Sequence, residues 1–155
     1  MKHIISVLVE NKFGVLARIS GLFSARGFNI DSLAVGETEN PTISRMTIVV
    51  EGDEKILEQI IKQLHRLIDV IRIIDLTKKD YIDRELLLFK IDTGKSKDKI
   101  AKILKNYKAK IINEDNSKLM VEVASSEEGV EKLLEALSAY EIKEMVRTGR
   151  IAVEK

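Results

Sequence analysis

The sequence predicts an α+β chain made of two consecutive β-α-β-β-α-β units. Three observations predict it. Short apolar, β-branched stretches alternate with segments whose apolar residues recur at helical spacing, in the same order twice. Turn residues stand where the period changes: Gly14, Gly27, Asn40-Pro41 and Gly52-Asp53, then Thr93-Gly94, Asp115-Asn116-Ser117 and Thr148-Gly149. A polar run, Lys78-Lys79-Asp80, separates the two halves. Each split unit of this kind folds as an antiparallel sheet with both helices on one side.

The first strand is His3 to Glu10. Ile5, Val7 and Val9 point one way and Ile4 and Leu8 the other, so it belongs inside its sheet with cover on both faces. A turn with Asn11 and Gly14 leads into a helix from Val15 to Arg26 that buries Leu16, Ile19 and Phe23. Gly27 stops it in a left-handed conformation. Phe28 to Val35 and Ile43 to Glu51 form a hairpin. Asp53 caps a second helix with Ile56, Leu57, Ile60, Ile61, Leu64 and Ile68 on its inner face. Val70 to Thr77 is the fourth strand. The second half repeats the order: strand Arg84–Asp92, helix Ser96–Tyr107, hairpin strands Lys110–Glu114 and Leu119–Ala124, helix Glu127–Tyr140, and short strands Ile142–Val146 and Arg150–Val153. The predicted domains are therefore residues 1–77 and 83–155, joined by a linker at 78–82. Each is small enough that dimerisation, through sheet edges or helices, is expected.

Composition narrows the function. Lys and Arg total 26 against 25 Asp and Glu, a balance that argues against nucleic acid or an anionic membrane as main partner. The absence of cysteine excludes disulfides, thiolate metal sites and cysteine nucleophiles. No apolar run approaches membrane-spanning length and nothing at the start resembles a secretion signal, so a cytoplasmic protein is expected. The two histidines, His3 and His65, suit a surface or packing edge. No carboxylate pair or His-carboxylate cluster has the spacing of acid–base or metal chemistry. Gly94-Lys95-Ser96 lacks the earlier glycine of a phosphate loop. Arg18 with Asn11 or Asn29 could imitate the anion-binding pair of an acylphosphatase, but Arg18 follows the turn instead of lying in it.

What remains is the turn itself. A helix start offers unpaired N–H groups and a partial positive charge. Beside an amide and a glycine it could hold a small carboxylate. On the residues alone, Asn11 as a turn cap and Gly14 as turn geometry is the favoured reading.

The runs Ser6–Asn11, Gly14–Arg18, Gly21–Ser24, Arg26–Ile30, Ser44–Ile48, Gly52–Glu54 and Gln59–Val70, with a thinner likeness at Asp83–Leu86 and Arg147–Ala152, closely resemble the small, regulatory subunit of acetolactate synthase (acetohydroxyacid synthase). The resemblance implies two ferredoxin-like domains, the first an ACT domain that binds amino acids at a dimer interface. It implies no cofactor in this chain. A large catalytic partner would carry thiamine diphosphate, Mg and FAD, and would condense pyruvate with pyruvate or 2-oxobutyrate. The small subunit would raise that activity and confer feedback inhibition, usually by valine. Carried over, the effector would sit at Asn11, Gly14 and the N–H groups of Val15 and Leu16. Asn29 and Ile30, from the same chain or a dimer mate, would complete the cage. Ala17 and Gly36 match positions tied to inhibitor sensitivity, and Gln59 is a weaker match. Phe13 stands where many ACT domains have proline, and Glu154 where a basic residue often closes the tail. A stand-alone amino-acid sensor for another enzyme or a transcription factor is the alternative, needing the turn but not the likeness in the Gln59–Val70 helix and the tail.

Overall fold

The computed structural model describes all of residues 1–155. The elements run β1 (Lys2–Glu10), α1 (Val15–Ala25), β2 (Ile30–Glu37), β3 (Ile43–Glu51), α2 (Glu54–Leu64), β4 (Val70–Asp75), β5 (Tyr81–Asp92), α3 (Lys97–Asn106), β6 (Lys110–Asp115), β7 (Lys118–Ser125), α4 (Glu127–Ala136), β8 (Ile142–Arg147) and β9 (Ile151–Glu154). The chain divides into two compact units. One comprises Met1–Ile82 together with Arg150–Lys155, the other Asp83–Gly149.

In the first unit the sheet order is β2-β3-β1-β4, with every neighbouring pair antiparallel. β1 is interior, as its two apolar faces predict. Ile5, Val7 and Val9 meet Met46, Ile48 and Val50 of β3 and the inner residues of α1 and α2, among them Ile19, Phe23, Leu57 and Ile60. Asp53 caps α2 by accepting the Ile56 N–H at 2.9 Å. The opposite face of the same sheet is also covered. Ile4 and Val49 pack with Leu76 and with Ala152 of β9, supported by Ile74 and Tyr81. That cover buries Ile4 and Val49 although they face away from the helices, and on the same face Ser6 Oγ accepts from Arg45 Nη1 at 2.8 Å. The tail strand predicted within the second domain thus belongs to the compact unit of the first.

Three placements differ from the sequence reading. α2 ends at Leu64, and the next residues tighten into turns through Arg66 N–H to Gln63 O and Leu67 N–H to Leu64 O. Leu67 therefore packs on the core and Ile68, counted on the inner face, is 95% exposed. We expect Ile68→Lys to change unfolding free energy by less than about 0.5 kcal/mol in urea titration, as for any exposed site. Leu16 is exposed rather than buried, while Val15 takes the inner position. His3 is fully buried, its Nε2 3.1 Å from Gly52 O, and not at a surface.

The second sheet has five strands in the order β6-β7-β5-β8, with β9 also paired to β5. Leu87, Phe89 and Ile91 of β5 pack with Val121 and Val123 of β7 and with Ile100, Leu104, Val130 and Leu133 of the helices. Asn116 turns the β6–β7 hairpin at φ +50°, a left-handed conformation that asparagine tolerates. The two sequence runs that carried the thinner likeness meet here. Arg147 donates from Nε and Nη2 to the two carboxylate oxygens of buried Glu85 at 2.7 and 2.8 Å. That hydrogen bonding raises the Arg147 guanidinium above its ordinary pKa. Thr148 Oγ1 accepts the Leu86 N–H at 3.1 Å, and Asp83 Oδ2 accepts the Glu127 N–H at 3.0 Å.

Candidate functional site

The loop from β1 to α1 is fixed by backbone and side-chain hydrogen bonds. Glu10 N–H donates to Asp69 O at 2.9 Å and Asn11 N–H to Thr42 O at 2.8 Å. The Asn11 amide Nδ2 donates to Pro41 O at 2.9 Å and to Glu37 Oε1 at 3.2 Å. Asn11 therefore ties the loop to the β2–β3 turn through its donors, and its Oδ1 is left to accept from elsewhere. Gly14 enters α1 at φ +78°, where a side chain is strained. No side chain caps the helix. The Val15 N–H makes only a long 3.5 Å contact with Lys12 O, so the first turn presents donors and a positive dipole end outward.

Arg18 lies one turn further on. Its Nε donates to Asp69 Oδ2 at 3.0 Å, and Asp69 is buried. Its Nη1 lies 3.1 Å from the position a Cβ on Gly14 would occupy. This ion pair was not anticipated: the sequence offered Arg18 only asparagines as companions. No local spacing signals it, because Asp69 lies 51 residues away and reaches Arg18 only through the placement of β4 beside β1. Arg18→Ala should cost about 1 kcal/mol of stability, the scale for a half-exposed partner, measurable by urea titration.

Asn29 and Ile30 are elsewhere. Glu10 pairs with Ile43 at one end of β3, whereas Ile30 pairs with Val50 at the other. Seven residues of extended strand separate these points, roughly 24 Å. One chain therefore cannot place Asn29 and Ile30 around a ligand held at Asn11 and Gly14, and the same-chain version of the cage is ruled out. Asn29 itself is exposed and donates to Asp31 Oδ1 at 3.2 Å. The register between β2 and β3 breaks between Ile30 and Ser32, leaving Asp31 as a bulge. Ala17, Gly36 and Gln59 are all exposed. Gly36 pairs with Arg45 near the loop end of the sheet, and Gln59 stands on α2. No helix is long and apolar enough to cross a membrane.

A βαββαβ unit of this order is ferredoxin-like, and the family match over residues 5–72 makes the first unit an ACT domain. The match is to the family described as an AHAS small subunit-like ACT domain over residues 5–72, and to the small subunit of acetolactate synthase over residues 84–155. The chain is 46% identical over 154 residues to a probable acetolactate synthase small subunit of Archaeoglobus fulgidus, covering 99% of this chain and 96% of that one. It is 40% identical over 157 residues to the acetolactate synthase isozyme 3 small subunit of Escherichia coli, covering 100% and 96%. The crystal structure of the acetolactate synthase small subunit from Thermotoga maritima superposes with a TM-score of 0.89 at 34% identity, covering 100% of this chain and 98% of that one. The chain belongs to the acetolactate synthase small-subunit family.

Proposed function

We propose that this chain raises the activity of a large acetolactate synthase subunit and makes it subject to inhibition by valine, performing no chemistry itself. Thiamine diphosphate, Mg and FAD belong on the large subunit, and the complex works in the cytoplasm. The observation that carries the reading is the separation of the two half-sites. Asn11 and Gly14 lie at one end of the sheet and Asn29 and Ile30 at the other, both bordering β2. β2 is an edge strand with unpaired backbone groups. Antiparallel pairing of two β2 edges about a two-fold axis sets the Ile30 end of one chain beside the Glu37 end of a second copy. Glu37 is the residue that Asn11 contacts. Each dimer then has two complete cages, with helix N–H donors for a carboxylate and amide oxygens for an ammonium.

The test is acetolactate formation by the large subunit with and without this chain, across valine concentrations. Stimulation without valine and inhibition with it are expected; no change in either condition refutes the proposal. Asn29→His removes one amide from the cage, and valine affinity by calorimetry should fall about tenfold, the scale of one hydrogen bond. Undiminished binding would place the ligand away from Asn29.

A further inference from the structure

The tail is attached to the strand that borders the candidate effector site. Arg150 N–H donates to Ser32 Oγ at 2.9 Å, across 118 residues of sequence. Ser32 is the first residue of β2 to regain its register with β3 after the bulge at Asp31. It therefore stands two residues from Ile30 and three from Asn29. A bulge bends its strand and re-aims the side chains beside it, and a bulge whose far side is anchored can hold one aim. The anchor is firm. Arg150 is buried, its Nη2 3.4 Å from Tyr81 OH. Ala152 is buried against Ile4, Val49 and Leu76. Beyond it Glu154 accepts from Lys79 Nζ at 2.7 Å and Lys155 N–H donates to Asp80 O at 3.0 Å. Three residues before Arg150 along the chain, Arg147 is gripped by Glu85 of the second unit. Only Thr148 and Gly149 lie between these two fixed points, and Gly149 adopts φ +81°.

We propose that the Ser32–Arg150 hydrogen bond transmits effector occupancy from β2 to the second unit through the short segment 147–150. Ser32 and Arg150 are positioning residues: they touch no effector and set how its binding is reported. This rests on the valine reading above. A ligand caged by Asn29 and Ile30 fixes the strand just before the bulge, and the strand just after it holds the tail. Ordering one side biases the other, which is what coupling requires.

The experiment uses the full chain with its large subunit and reads two quantities for each variant: valine binding by calorimetry and inhibition at saturating valine. Ser32→Ala should bind valine within about threefold of the unsubstituted chain. Its inhibition at saturation should fall by about half or more, with stimulation in the absence of valine unchanged. Ser32→Thr keeps the hydroxyl and should restore inhibition. Insertion of two glycines after Gly149 leaves both anchors intact and should uncouple binding from inhibition in the same way. Full inhibition in Ser32→Ala or in the insertion variant overturns the proposal, as does a loss of inhibition explained entirely by weaker binding. If the unsubstituted chain binds no valine, the site reading fails and this proposal with it. If it binds and inhibits while the variants behave identically, the site reading stands and the transmission route alone is wrong.

Discussion

Gly14→Asp is expected to lower valine affinity by more than about 100-fold, from like-charge repulsion worth several kcal/mol, and to abolish inhibition. The new side chain's Cβ would lie 3.1 Å from Arg18 Nη1, which puts its carboxylate at the first turn of α1. It would pair with the guanidinium and with the helix dipole, occupying the place proposed for the ligand's own carboxylate. Strain at φ +78° adds roughly 1–2 kcal/mol of instability, a range aspartate tolerates better than most residues. The chain should therefore remain folded by circular dichroism while calorimetry shows no heat of valine binding. Normal valine inhibition in this variant would refute the placement of the site.

Arg147→Ala is expected to destabilise the second unit by about 2 kcal/mol, above Arg18→Ala because both Glu85 oxygens depend on this half-exposed guanidinium. Glu85 keeps only 3% of its side-chain area exposed and both its oxygens rely on Arg147. Hydrogen exchange should show faster amide opening at Leu87 and Phe89 of β5 than at Ile5 and Val7 of β1. Replacing both partners with apolar residues, as Glu85→Leu with Arg147→Met, should recover most of the loss. If the single substitution leaves exchange in β5 unchanged, the pair is not what holds that corner of the sheet.

The order of elements was legible in the sequence because each depends on local signals. β1 announced itself by carrying apolar residues on both faces, and α1 by Ile19 and Phe23 after a glycine. Element ends were less legible where tertiary packing decided them. Ile68 continues the apolar period of α2, yet the helix has already turned at Leu64, and Leu67 takes the inner place instead. The allegiance of the tail was not legible. The partners of Arg150 and Ala152 are Ser32, Ile4 and Val49, and nothing near them in sequence points there. The separation of the half-sites was legible in principle. A hairpin turning at residues 38–42 places Asn29 at its open end, far from a loop held at the turn. Arg18 was singled out for the wrong companion, because Asp69 comes near it only once β4 lies beside β1.

The split composition of the first unit has a consequence during synthesis. Its last strand is synthesised only after the whole of Asp83–Gly149. Until then Ile4, Val49 and Leu76 lack Ala152 above them, and the nascent chain carries a sticky sheet face for seconds. The intervening residues have their own core and can fold during that wait. A chain stalled or cut before residue 150 would thus release a product with one finished unit and one prone to aggregate.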